Sequence, residues 1–113
     1  MDIIIKKLAA RGVPGLVLLV AVNLTGLAGA AALTTALAAL GPGGMIGGVV
    51  LLLLISVAAD GIATFGFEEI AKGVLRELYC NGESKETIKK KVNSMPISSR
   101  LKSVLYKVVD DFS

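Results

Sequence analysis

The sequence predicts an all-α membrane protein: a two-span transmembrane helical hairpin followed by a short cytosolic helical C-terminal tail. Three observations predict it. Residues 12–59, about 48 in a row, contain no Asp, Glu, Lys, Arg or His, and roughly 20 apolar residues already span a bilayer. A glycine turn, Gly41-Pro42-Gly43-Gly44, cuts that stretch near its middle. Charged residues flank the stretch, with Lys6, Lys7 and Arg11 before it and, past Asp60, Glu68, Glu69, Lys72 and Arg76 after it.

Residues 1–12 form the first segment. Ile3, Ile4, Ile5 and Leu8 stand beside Lys6, Lys7 and Arg11, a pattern that predicts a segment lying at a membrane surface. Gly12-Val13-Pro14-Gly15 interrupts it. Proline suits the first position of a helix, where its missing N–H costs nothing, so the first span is expected over residues 14–40. At 1.5 Å per residue its length is roughly 40 Å, more than a ~30 Å hydrocarbon core, which predicts a tilted or projecting helix.

The second half of this span is rich in small residues. Gly26, Ala30, Thr34 and Ala38 recur at spacings of four, as do Ala28, Ala32 and Ala36. In lipid, close backbone approach must supply the attraction between helices. Small residues on more than one face therefore predict both a hairpin partner and further copies of the chain. Gly43/Gly47 and Gly44/Gly48 continue the pattern after the turn as two overlapping G-x-x-x-G pairs. The glycines lack the Lys-Ser/Thr sequel of a phosphate-binding loop.

Residues 45–59 are too short to span alone, at about 22 Å. The second span is therefore expected to run through Asp60 to about residue 67, and its helix to continue to about residue 79, where Asn81-Gly82 ends it. Residues 13–80 make up the hairpin and its extension. Lys6, Lys7, Arg11, Lys72 and Arg76 flank one end, and the turn at the other end is uncharged. The positive-inside rule then puts both termini in the cytoplasm, and the expected location is a membrane, most simply a bacterial inner membrane.

Residues 81–113 carry seven basic and four acidic side chains from Glu83 onward. Ser84 is placed to cap a helix of residues 85–92, with Glu86 in its first turn. Ser94-Met95-Pro96 breaks that helix, and Ser98 or Ser99 caps another. In this last helix Leu101, Val104, Leu105, Val108 and Phe112 form one apolar stripe. A tail this short cannot build its own core, so the stripe is expected to pack on Ile88 and Val92, on the extended second helix, or on a partner. An anionic ligand or partner protein suits the basic side chains, and no nucleic acid is expected.

Asp60 is the one acid in the apolar region. Counted from the turn, it lies level with Asn23 and Thr25, and Ser56 and Thr64 stand one helical turn to either side. An ionised carboxylate in a bilayer costs ~2.5–3.5 kcal/mol unless paired or hydrated. Three readings follow. Asp60 lines an aqueous path with Ser56 and Thr64, fixes helix register by hydrogen bonding to Asn23 or Thr25, or binds a proton. Glu68 and Glu69 read as interfacial charges near Lys72.

In outline, residues 14–67 resemble the proton-carrying ring subunit of rotary ATPases, a glycine- and alanine-rich hairpin with a carboxylate in its second helix. The chain departs from that pattern in its Gly-Pro-Gly-Gly turn, where the ring subunit has a polar cytoplasmic loop, and in its basic tail. Proton translocation is therefore not carried over to Asp60. Small two-span pore-forming proteins, such as holins and membrane effectors of bacterial defence systems, are similar in the same outline.

No enzyme is expected. With no His and a single cysteine, Cys80, a transition-metal site lacks its usual ligands, and no cofactor motif stands out. The leading functional expectation is a homo-oligomeric channel or pore whose tail assembles or gates it. The alternative is a non-conducting membrane anchor or assembly subunit whose tail docks a partner protein.

Overall fold

Residues 16–22 are seven consecutive buried side chains. A helix that is apolar all round must be covered all round, and a protein core can do this as well as a bilayer. Here the core does it. The computed structural model describes residues 1–38, 48–95 and 97–112. Among them the chain forms six α-helices: α1 (Asp2–Ala9), α2 (Val13–Ala38), α3 (Gly48–Phe65), α4 (Phe67–Cys80), α5 (Lys85–Ser94) and α6 (Ser99–Phe112). All five other helices pack against α2.

The two-span hairpin is overturned. Among the described residues no helix is long and apolar enough to cross a membrane. The first reason is Gly26, whose φ of 70° and ψ of −173° break α2. Its two pieces, about 13 and 12 residues, reach roughly 20 and 18 Å, well short of a bilayer core. A straight span of residues 14–40 would also exceed the longest dimension of the molecule, 31 Å.

The second reason is Gly66, with φ 88° and ψ 148°. The expected continuous helix through residue 79 is instead two helices folded on each other. A Cβ on Gly61 would lie 3.4 Å from the Ile70 side chain, a closeness that nine residues of straight helix, about 13 Å, would forbid. Folding back serves α4, which is strongly amphipathic. Ile70, Ala71, Val74, Leu75 and Leu78 are buried on one face, while Glu68 and Lys72 pair at 3.1 Å on the exposed side.

The N-terminal segment is also part of the core. Asp2 opens α1 and Lys6 and Lys7 close it, which matches the helix dipole. Ile5, Leu8 and Ala9 are buried. The corner into α2 is tight: a Cβ on Gly15 would overlap the Leu8 carbonyl.

The tail helices cover the remaining side of α2. Ser84 caps α5 in a reciprocal box with Thr87, each backbone N–H bonding the other's side chain at 3.2 and 2.7 Å. Ser98 Oγ accepts from the Leu101 N–H at 3.2 Å. Between the two helices Lys89 Nζ meets Asp110 Oδ1 at 2.6 Å, and Lys102 Nζ donates to the Asn93 carbonyl at 2.8 Å. Phe112 reaches α4, its ring 6.1 Å from that of Phe67.

The integral-membrane location, and the channel and pore description that rested on it, fall with the hairpin. Hydropathy measures the gain on leaving water and does not distinguish lipid from protein as the destination. Of the apolar segment, Val13, residues 16–22, Leu54, Ile55 and Ala58 are buried in a helical globule with a radius of gyration of 12.4 Å.

Candidate functional site

The site is built where α1 runs past α3. The Cβ position of Gly61 meets Ile4 Cγ2 at 3.0 Å. Lys7 of α1, with Ala10 and Arg11 just after the helix, lines a groove together with Leu53, Leu54, Ser56, Val57 and Asp60 of α3. Position rises along α1 as it falls along α3, so the two helices are antiparallel. Between them lies a half-open groove of about 430 Å³.

Helical spacing explains its lining. Leu53, Ser56, Val57 and Asp60 stand at i, i+3, i+4 and i+7, one face of α3. Leu54 is buried at the edge of this face, and Ile55 and Ala58 are buried on the opposite side of the helix. On α1, Ile3 and Lys7 stand one turn apart, and Arg11 follows in the turn after the helix. Leu53 is 61% exposed and Ile3 71%, high for side chains of this size. Neither has an apolar neighbour that removes it from solvent.

The electrostatics are unusual for so small a patch. Lys7, Arg11 and Asp60 share one groove, yet none of them forms a salt bridge among the described residues. Elsewhere Lys72, Lys89 and Lys91 are paired with Glu68, Asp110 and Glu83. Nor does a hydrogen bond link Ser56 to Asp60 in the described residues. The groove therefore offers two unpaired cations, one unpaired carboxylate and a hydroxyl above an apolar floor.

The structure brings together some of the residues singled out from sequence. Ser56 and Asp60 line the groove, and Thr64 is exposed further along the same face. Glu68 is separated from them by the break at Gly66 and is paired with Lys72. Asn23 is exposed on α2 and does not line the groove. Thr25 and Ala30 fall within α2, and their side chains are outside the described part. Gly26 is the helix break and Gly48 the first residue of α3, while Gly43, Gly44 and Gly47 lie outside the described residues. Leu101, Leu105 and Val108 are buried, and Val104 and Phe112 pack partly buried against the same core.

Lys7 and Arg11 were the residues that sequence reasoning assigned elsewhere, to the flank of a membrane span. Their spacing of four was visible. Their proximity to Asp60, some 50 positions away, depends on how α1 packs. Among the described residues no cluster of three or more His, Cys, Asp or Glu is arranged to hold a metal ion. No protein family, curated protein or solved structure matches the chain.

Proposed function

We propose that the chain is a non-catalytic protein-docking module, whose α1/α3 face receives another protein. The observation that carries this reading is the combination in one groove of the unpaired Lys7, Arg11 and Asp60 with the exposed Leu53. An exposed apolar anchor ringed by charges is the usual composition of a protein-binding patch. The half-open shape favours a flat partner over an enclosed small molecule, since ligand pockets bury most of their ligand.

Docking through the stripe of Leu101, Val104, Leu105, Val108 and Phe112 is not part of this proposal, because the chain's own helices cover it. What remains free on the tail is mainly its charge: Lys85, Lys90, Arg100 and Lys107 are exposed.

A photoreactive benzoylphenylalanine in place of Leu53, in the full chain expressed in cells, tests the reading. Cross-linked adducts are expected from position 53 and not from the same probe at the exposed Lys90. Adding Arg11→Glu is expected to reduce them. Absence of adducts at 53, or equal yields at both positions, would overturn the proposal.

A further inference from the structure

We infer that the outer face of α5 and α6 binds a nucleic-acid duplex through its phosphate backbone, without regard to sequence. This face is separate from the α1/α3 groove, and the inference does not rest on the docking reading.

The chain's charge is unevenly placed. Residues 1–82 carry five basic and five acidic side chains, which cancel, so the whole formal charge of +3 sits in the tail. Residues 87–109 hold six cations and no acid. The pairing of the helices sets the geometry. Lys89 meets Asp110, and Lys102 meets the Asn93 carbonyl, so α5 and α6 run antiparallel. The acids Glu86, Asp110 and Asp111 therefore gather at one end of the pair. The other end, with Arg100 and Lys102 beside Asn93, has none. Lys90 lies about 200° around α5 from each of the buried Ile88 and Val92 and so points away from the core. Arg100 and Lys107, two turns apart on α6, are exposed as well. None of these three cations forms a salt bridge among the described residues.

These charges do not serve their helix. Arg100 and Lys102 stand in the first turn of α6, and Asp110 and Asp111 in the last, the reverse of what the helix dipole favours.

Composition selects the occupant. Among the described residues the exposed large apolar side chains are Met1, Ile3, Leu24, Leu53 and Phe65, and none belongs to the tail. Between its cations the tail face offers the exposed Ser94, Ser99 and Ser103. A protein partner calls for apolar or aromatic anchors, and a lipid surface for an apolar face to bury. Nucleic-acid interfaces are more polar and far more positive, and Lys, Arg and Ser are among the side chains that contact phosphates. A single strand is held by stacking on open aromatic rings, whereas Tyr106 and Phe112 pack partly buried against the core. That leaves a duplex. Sequence alone predicts no nucleic acid, because it does not show which cations stay free or that no apolar side chain stands among them.

The test is fluorescence anisotropy of short mixed-sequence DNA and RNA duplexes titrated with the purified full chain, with circular dichroism to confirm folding. Micromolar binding is expected at low salt. From about 50 to 200 mM salt the affinity should fall roughly a hundredfold, for about four phosphates contacted. Arg100→Gln with Lys107→Gln should weaken binding and lower the salt slope by about 2. Lys6→Gln with Arg76→Gln removes the same charge from other exposed positions and should change the slope little. Tighter binding to either duplex supports the inference and names the source.

No binding at low salt, or equal losses from the two double variants, would overturn the inference. So would a single strand of the same sequence that binds more tightly than the duplex. Displacement of the duplex by phosphatidylglycerol vesicles or polyglutamate at equal charge concentration would overturn it in favour of a lipid or an acidic protein. A duplex on this face yields nucleic-acid adducts, not protein adducts, from a probe at position 90, so the cross-linking comparison keeps its meaning.

Discussion

Gly15 lies so close to Leu8 that a Cβ on the glycine would overlap the Leu8 carbonyl oxygen and carbon. This contact sets the corner between α1 and α2, and so sets where α1 presents Lys7 and Arg11 to α3. The obstacle is backbone, which cannot rotate away as a side-chain end can. Gly15→Ala should therefore destabilise the fold by about 3 kcal/mol, measured by chemical denaturation. It should also weaken any assembly that depends on the α1/α3 groove, even though Gly15 does not line it.

Gly26 makes a different demand. Among the described residues nothing lies within 4 Å of where its Cβ would be, but its φ of +70° and ψ of −173° are a conformation that L side chains rarely adopt. Gly26→Ala should cost about 1–3 kcal/mol through backbone strain alone. A D-alanine at this position, introduced by semisynthesis, finds the same dihedrals comfortable. It should match or exceed the glycine protein in thermal stability. If L- and D-alanine behave alike, the kink is not what sets the cost.

Tyr79 Oη is buried and has no hydrogen-bond partner among the described residues. Removing an unsatisfied buried hydroxyl relieves a desolvation penalty. Tyr79→Phe is expected to raise unfolding free energy by about 1 kcal/mol, or at least to cost nothing. A marked loss of stability would mean the hydroxyl is satisfied after all.

The Lys89–Asp110 pair makes stability depend weakly on acid. The hydrogen bond from Lys89 holds the Asp110 carboxyl below the usual carboxylate range; desolvation opposes it, and the charges of Lys89 and Lys85 add smaller lowering effects. A carboxylate whose pKa is lower folded than unfolded stabilises the fold above its unfolded pKa. That contribution disappears as pH falls through the folded value. Carboxyl chemical shifts in a pH titration should place Asp110 below an unpaired aspartate, and Lys89→Ala should return it toward the ordinary range. The pair is exposed, so the change in melting temperature should be slight.

Much of the local structure was legible in the residues. The break at Gly12-Val13-Pro14, the Asn81-Gly82 stop, the Ser84 cap and the stripe of Leu101, Leu105 and Val108 each come from interactions within a few positions. Such signals act the same way in any fold. The groove was half legible. Ser56 and Asp60 stood out because they interrupt an apolar run, whereas Lys7 and Arg11 join them only through the packing of α1 on α3.

The sequence by itself determined that this protein is helical, that residues 16–22 must leave water, and that α4 and α6 each have one face to bury. Only the tertiary structure decided where the apolar segment goes. The physical reason is that the hydrophobic effect is non-directional: it rewards leaving water and is indifferent to whether lipid or side chains wait on the other side. The choice was made by backbone dihedrals at Gly26 and Gly66. They shorten and fold back the helices so that the amphipathic faces of α1, α4, α5 and α6 close around α2.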